Sequence, residues 1–215
     1  MNNLNSRNLV IVDDHAIVRQ GLKMLINSQD GLELVAESDG TDNILDLCLK
    51  NKPDLLMLDI TLPNTNGIEL IKQIKKEIPK LPVLIFSMHD ENLYAMHAIK
   101  AGAAGYLHKN QPFEKYLEAI NTVLDGKKYL SPTMVQLIAD RIHTGDDESP
   151  QDKLSFREFQ TLKMLASGLT VSDIAEKLFL SVKTISMYRS RILQKLKLKN
   201  NSELISFAIK NKLLD

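Results

Sequence analysis

Cysteine is nearly absent: Cys48 stands alone, so no disulfide can form within the chain, and this usage fits a reducing compartment. Cys48 falls in a helical-looking segment and reads as a core thiol rather than a reactive one. No apolar run approaches the roughly 18 residues that a membrane span requires. The polar start MNNLNSRN leads straight into an apolar strand pattern without a signal-peptide core. The expectation is a cytoplasmic protein with no membrane partner. Internal repeats and low-complexity tracts are also lacking, which excludes a stacked-repeat architecture.

What is present is ordinary in bulk and divided in detail. The chain is 44% hydrophobic and 25% charged, and its 215 residues suffice for one well-filled domain plus a smaller second one. Its formal net charge of zero conceals an acidic and a basic half. Residues 1–150 carry 15 Lys+Arg against 21 Asp+Glu, whereas residues 151–215 carry 12 against 6. The basic half is the one to associate with nucleic acid, because neutralising phosphates and releasing counterions supplies most sequence-independent affinity.

Strand-length apolar runs recur at Leu9–Val12, Leu32–Ala36, Leu55–Leu58, Val83–Phe86 and Ala104–Leu107. Helical periodicity separates them, as in Val18, Leu22, Leu25 and Ile26, or Leu70, Ile71 and Ile74. This alternation, closed by a last helix over Glu114–Leu124, predicts an α/β fold of about 125 residues. Its core would be a doubly wound, five-stranded parallel sheet of the flavodoxin-like type, with a ligand site at the carboxyl ends of the strands. A short helix, Pro132–Ile142, and a polar stretch at 143–150 ending in Pro150 follow. The expected division is therefore an α/β domain over 1–126, a linker with a short helix over 127–153, and an all-α domain of four helices over 154–215.

The predicted strand ends collect chemistry. The first ends in Asp13-Asp14 and the third in Asp59, and adjacency of these strands would bring three carboxylates together. Such a cluster repels itself unless a hard divalent cation relieves it, and Mg²⁺ commonly bridges carboxylates to phosphate oxygens. The fourth strand ends in Ser87 and the fifth is followed by Lys109, a hydroxyl and a point cation on the same rim. A single Asp at a strand end is an ordinary turn residue. The set together describes an aspartyl-phosphate site, with a carboxylate nucleophile, a metal and donors for phosphoryl oxygens.

The segments VIVDDH (10–15), LLMLDITLPNTNG (55–67), LIFSMHD (84–90) and AGAAGYLHK (101–109) closely resemble the receiver domain of bacterial two-component response regulators. The resemblance covers about residues 8–125. It implies that Asp59 accepts a phosphoryl group from a sensor histidine kinase. Mg²⁺ would be bound directly by Asp14, helped by Asp13, with Asp59 and the Thr61 backbone carbonyl completing the site. Ser87 and Lys109 would engage the phosphoryl group. Tyr106 would be the aromatic switch residue, turning inward as Ser87 moves. Pro63 and Gly67 match the family's shaped loop after the acceptor, where Gly permits sharp turns. His15 and His89 flank the pocket and read as helix-start residues facing solvent. Met88 is bulky beside Ser87 and would affect the dephosphorylation rate.

The second half reads as helices over Phe156–Ser167, Val171–Leu178, Val182–Leu196 and Ser202–Leu213. Ser155-x-x-Glu158 and Thr170-x-x-Asp173 offer capping boxes, and Ser181 an N-cap. On the third helix Ile185, Tyr188, Ile192 and Leu196 form one apolar face, while Lys183, Ser186, Met187, Ser190, Gln194 and Lys197 lie opposite. A packed back and a basic, hydrogen-bonding front fit a major groove.

Residues 154–200 strongly resemble the LuxR-type helix-turn-helix of the NarL/FixJ class of response regulators. The resemblance places Lys183, Ser186, Met187 and Ser190 toward bases or groove, and Thr184, Arg189 and Arg191 near phosphates of double-stranded DNA. It makes Leu204, Ile205 and Ala208 part of a dimerisation helix, in a homodimer formed on phosphorylation. Position 186 departs from the lysine frequent in this class, and Ser186 cannot make the bidentate guanine contact of a longer donor. Tyr188 replaces the frequent histidine as a packing change. The resulting expectation is a phosphorylation-controlled DNA-binding transcription regulator rather than an enzyme. A phosphatase using the same intermediate would need a carboxylate where Thr61 stands. A protein-docking module would lack the basic groove-facing helix.

Overall fold

The apolar runs of the first half become one parallel sheet in the computed structural model, which describes residues 6–63, 65–89, 91–144 and 150–214. Its strands are β1 (Arg7–Val12), β2 (Leu32–Ser38), β3 (Leu55–Leu58), β4 (Val83–Ser87) and β5 (Gly105–His108), in the spatial order β2-β1-β3-β4-β5. Every pairing is parallel. The central strands are apolar without alternation because both faces are covered: Leu55 to Leu58 are all wholly buried, as are Val83 to Ser87. Interleaved helices are α1 (Ala16–Asn27), α2 (Ile44–Asn51), α3 (Gly67–Glu77), α4 (Glu91–Ala101) and α5 (Phe113–Leu124).

One face of the sheet presents Leu9, Ile11, Leu55, Met57, Leu84 and Phe86 to Leu22 and Ile26 of α1 and to Tyr116, Ile120 and Val123 of α5. Residues of opposite parity, including Val10, Leu56 and Ile85, turn to the other face and are equally buried. Full burial of each such aliphatic side chain contributes about 1.5–3 kcal/mol relative to exposure. Both β4 and β5 extend one residue beyond their expected apolar runs, so Ser87 is the last residue of β4 and Lys109 follows β5 directly.

The chain divides at Gln136/Leu137 into two units. Helix α6 (Pro132–Thr144) is followed by a 3₁₀ turn, Pro150–Lys153. Of the polar stretch expected to be linker, residues 145–149 lie outside the described residues. Helices α7 (Phe156–Ala166), α8 (Val171–Lys177), α9 (Val182–Leu196) and α10 (Asn201–Lys210) complete the second unit. Capping boxes form at both expected starts: Ser155 with Glu158, and Thr170 with Asp173. Ser181 caps α9 by accepting from the Thr184 backbone. Helix α10 packs on α7, burying Leu204 and Ala208 completely. A dimer contact through those two side chains is therefore corrected, since they already form this unit's core; Ile205 is half-buried.

Glu158 ties the unit together. Its carboxylate accepts from Ser155 N at 2.7 Å and lies 2.6 Å from Lys195 Nζ, with its side chain only 3% exposed. Burial pushes its carboxyl upward, but the bonds from Lys195 and Ser155 outweigh burial and hold it below the usual range. Such a depressed group stabilises the fold above the unfolded-state carboxylate pKa, and that stabilisation is lost as pH falls through the folded value. Glu158→Gln is expected to lower the stability of the second unit by about 1–3 kcal/mol at neutral pH. Urea unfolding across pH should show the difference shrinking in acid; a gap independent of pH would contradict it.

Candidate functional site

The carboxyl ends of the central strands build the first site. Val12 and Leu58 pair as the last residues of β1 and β3, so Asp13 and Asp59 emerge side by side. Asp13 is wholly buried and Asp59 is 2% exposed. One ligand atom from each of Asp13, Asp14, His15 and Asp59 lies within 4.8 Å of the others. Lys109 reaches in from the end of β5, its Nζ 2.7 Å from Asp59 Oδ2 and 2.5 Å from Asp13 Oδ2. The same ammonium lies 5.1 Å from the centre of the Phe86 ring, whose face favours a cation.

Burial pushes the Asp59 carboxyl above its ordinary pKa. Lys109 pulls it back by charge and hydrogen bond, Asp13 raises it again, and the Thr61 N–H, 3.2 Å from Oδ1, favours the charged form. Asp14, with its side chain 32% exposed, opens the cluster to solvent. Three carboxylates against one ammonium leave the pocket short of positive charge. Its predominantly oxygen donor set suits a hard divalent cation.

The surrounding loops are shaped for close approach. Gly67 has an ordinary negative φ, so the expected need for a sharp turn is not its reason. A Cβ there would collide with the Asp59 carbonyl oxygen and stand 2.8 Å from Ile60 Cα, and only glycine lets the start of α3 pass so near. Asn66 caps that helix by accepting from Ile68 N.

Ser87 Oγ is buried and accepts from His89 N at 3.2 Å. Tyr106 is 1% exposed and donates its hydroxyl to the His89 carbonyl at 2.9 Å. Burial pushes its phenol pKa far up. In this conformation the Tyr106 ring lies inside, as buried core. Both histidines stand at helix starts as expected, His15 as the exposed N-cap of α1 and His89, half-buried, just ahead of α4, and both carry polar contacts. His15 Nδ1 lies 2.6 Å from Asp14 Oδ1 and 3.1 Å from Asp13 Oδ1. His89 Nε2 is 2.9 Å from Thr61 Oγ1, and its ring stacks on Tyr94 at 4.5 Å. Met88, 59% exposed, stands clear of these bonds. Sequence reasoning missed Arg19, which donates to the Asp13 carbonyl at 2.6 Å. Its only signal was its place one helical turn after His15.

The second site is the outer face of α9. Ile185 and Ile192 are wholly buried, with Tyr188 and Leu196 half-buried, and the opposite face is open. Lys183, Ser186, Met187, Ser190 and Arg191 are exposed. Thr184 is half-buried and shares the helix cap, its Oγ1 2.8 Å from Ser181 Oγ. Arg189 donates Nε to Asn201 Oδ1 at 2.7 Å, which anchors the guanidinium against the start of α10.

A buried, lysine-bridged aspartate at the head of a parallel α/β sheet, joined to a helix-turn-helix unit, defines a phosphoacceptor regulator. The family model for the response regulator receiver domain matches residues 9–121, and that for bacterial regulatory proteins of the luxR family matches residues 152–208. The oxygen regulatory protein NreC of Staphylococcus haemolyticus is 38% identical over 215 residues, covering 96% of this chain and 99% of that protein. Its Staphylococcus carnosus counterpart shows the same identity and coverage. Among solved structures, a LuxR-family two-component response regulator from an Aurantimonas species is 34% identical, with TM-score 0.59, over 63% of this chain and 97% of that one. RcsB of Salmonella enterica serovar Typhimurium, bound to promoter rprA with the phosphomimetic BeF3⁻, is 25% identical, with TM-score 0.65, over 94% and 98%. The chain belongs to the two-component response regulators of the NarL/FixJ class, which are DNA-binding transcription regulators and not enzymes.

The raised Asp59 pKa carries a stability consequence. A carboxyl whose folded pKa exceeds its unfolded value stabilises the fold below the unfolded pKa, and that benefit disappears as pH rises through the folded value. Near neutrality the ionised Asp59 is therefore a liability, which Asp59→Asn removes while Lys109 keeps Asp13 as partner. The substitution is expected to raise stability at neutral pH. The gain should vanish in acid, where both side chains are neutral. Thermal unfolding of the two proteins across pH checks this; a variant less stable at neutral pH would refute it.

Proposed function

We propose that Asp59 is the phosphoacceptor of a two-component pathway and that its phosphorylation controls DNA binding by α9. The carrying observation is the Lys109 ammonium, itself 4% exposed and held within 2.7 Å of Asp59 and 2.5 Å of Asp13. A carboxylate oxygen of Asp59 forms the new O–P bond as the P–N bond to the kinase's imidazole breaks, and that bond's electron pair stays on the imidazole nitrogen. Asp13, Asp14, Asp59 and the Thr61 backbone carbonyl would hold Mg²⁺, which supplies charge neutralisation for the phosphoryl oxygens. Lys109 then exchanges a carboxylate partner for a phosphoryl oxygen, and the Ser87 hydroxyl donates to another. Tyr106, bonded to the His89 carbonyl, relays any movement of that loop.

The new group adds roughly −1.5 to −2 charges at neutral pH, enough to reorganise every hydrogen bond around Ser87 and Lys109. In this reading residues 1–126 form the receiver, 127–153 the linker and 154–215 the DNA-binding domain. The protein works in the cytoplasm as a homodimer on phosphorylation, because paired recognition helices read half-sites about one helical turn apart. Of the three α10 residues named for such a contact, Ile205 is the one left partly accessible, Leu204 and Ala208 being internal. That RcsB was solved on promoter DNA supports assigning double-stranded DNA to α9.

On incubation with acetyl phosphate and Mg²⁺, the intact chain is expected to gain one phosphoryl group, detected by mass, and Asp59→Asn none. Chelation by EDTA should suppress the gain; full labelling of either control would overturn the assignment.

The DNA face makes a separate prediction. Lys183 and Arg191 should supply phosphate attraction, and Arg189 should do so with the guanidinium donors left by its bond to Asn201. Replacing Lys183 and Arg191 by Ala is expected to weaken binding to all duplexes and flatten the salt dependence by about one counterion for each phosphate no longer neutralised. Changes at Met187 and Ser190 should instead alter base preference. Titrations against specific and random duplexes at several salt concentrations measure both effects, and unchanged affinity of the double variant would exclude this face.

A further inference from the structure

The amino-terminal edge of the sheet, opposite the acidic pocket, gathers cations. Arg7 opens β1, Lys75 and Lys80 stand near the end of α3, and Lys127 and Lys128 follow α5. With Asp54 they line a cleft of about 350 Å³ that also touches Pro82 and Ala104, just ahead of β4 and β5. Residues 1–136 hold 14 Lys+Arg and 17 Asp+Glu, so five cations around one cleft with a single carboxylate run against the balance of this unit. That carboxylate is already engaged: Asp54 Oδ1 lies 3.4 Å from Arg7 Nη1, and Oδ2 accepts from Asn8 N at 2.8 Å. Among the described residues, no ion pair involves Lys75, Lys80, Lys127 or Lys128.

Two of these ammonium groups are held in place. Lys75 Nζ donates to the Leu81 carbonyl at 2.6 Å and the Pro79 carbonyl at 3.4 Å, and Lys128 Nζ donates to the Ala103 carbonyl at 2.5 Å. The Lys75 stem passes close over Gly102, where a Cβ would stand 3.0 Å from Lys75 Cγ. Burial and the neighbouring Lys128 charge both push the Lys75 pKa down, so the two ammonium groups act on each other. Each ammonium has three donors, and both lysines keep donors beyond those given to backbone. Lys80 and Lys127 are exposed and close the rim.

The geometry points to a binding site for a compact oligophosphate anion, of the pyrophosphate class that nucleotides carry, held by Lys75, Lys80, Lys127 and Lys128. Multiple negative charge on adjoining phosphates matches several ammonium groups that no carboxylate offsets, where a monoanion matches only one. A concave cleft suits a small ligand. The excess of acidic residues in this unit disfavours an extended polyanion such as duplex DNA at the same place.

Titration of the full chain with inorganic pyrophosphate, free of divalent cations so that nothing is drawn from the acidic pocket, tests this by calorimetry and amide chemical shifts. Saturable binding is expected, with shifts centred on Lys75, Lys80, Ala104, Lys127 and Lys128. The exposed pair Lys80→Gln and Lys127→Gln should weaken it about tenfold without changing the unfolding midpoint, while Asp59→Asn leaves it intact. Lys75→Gln with Lys128→Gln should weaken it further. Absence of saturable binding, or binding indifferent to the exposed pair, overturns the site. Equal affinity for inorganic phosphate overturns the oligophosphate class. Loss of duplex affinity in the exposed-pair variant without any pyrophosphate binding assigns the cations to DNA and overturns the proposal as well.

Discussion

One ammonium group organises the first unit. Lys109 stands between Asp13 and Asp59 at ion-pair distance from both, almost without solvent. Two buried carboxylates this close would otherwise repel and take up a proton. The contact requires that β1, β3 and β5 end at one level, because the side chains arise from the residues just past those strands. Sheet order, strand length and loop shape therefore all answer to a single electrostatic condition.

That condition also explains why the site is a poor place for stability and a good one for chemistry. Desolvation and Asp13 both disfavour the charged form of Asp59, and Lys109 and the Thr61 N–H offset this only in part. A phosphoryl group entering there meets a donor that is already desolvated and already aimed. The bond from Tyr106 to the His89 carbonyl and the contact between His89 and Thr61 join the loops after β3 and β4. Three hydrogen bonds thus connect Asp59 to an aromatic core residue by way of Thr61 and His89.

The second unit solves a different problem, presenting one helix face to a partner while holding the other rigid. Ile185 and Ile192 bury the back of α9, and Lys195 crosses to the Glu158 capping box of α7. Arg189 is anchored on Asn201 at the head of α10. Helix α10 is committed inward through Leu204 and Ala208, so its role within the unit precedes any role between copies.

Much of this was legible in the residues. Uninterrupted apolar runs identified the buried strands, helix periodicity and capping signatures bounded α7 to α9 closely, and acidic residues at strand ends marked the pocket. These are local properties, set by backbone period and by which side chains satisfy a helix start. What local pattern does not carry is which polar atoms meet across the sheet. The inward ring of Tyr106, the bonds of His15, His89 and Arg19, and the burial of Ala208 depend on contacts between residues distant in the chain or on loop paths. Gly67 makes the distinction concrete. Its presence after the acceptor was plain in the sequence, but its reason, the Asp59 carbonyl lying where a Cβ would go, exists only once β3 and α3 are folded together, because that clash is a distance between elements and not a property of either one.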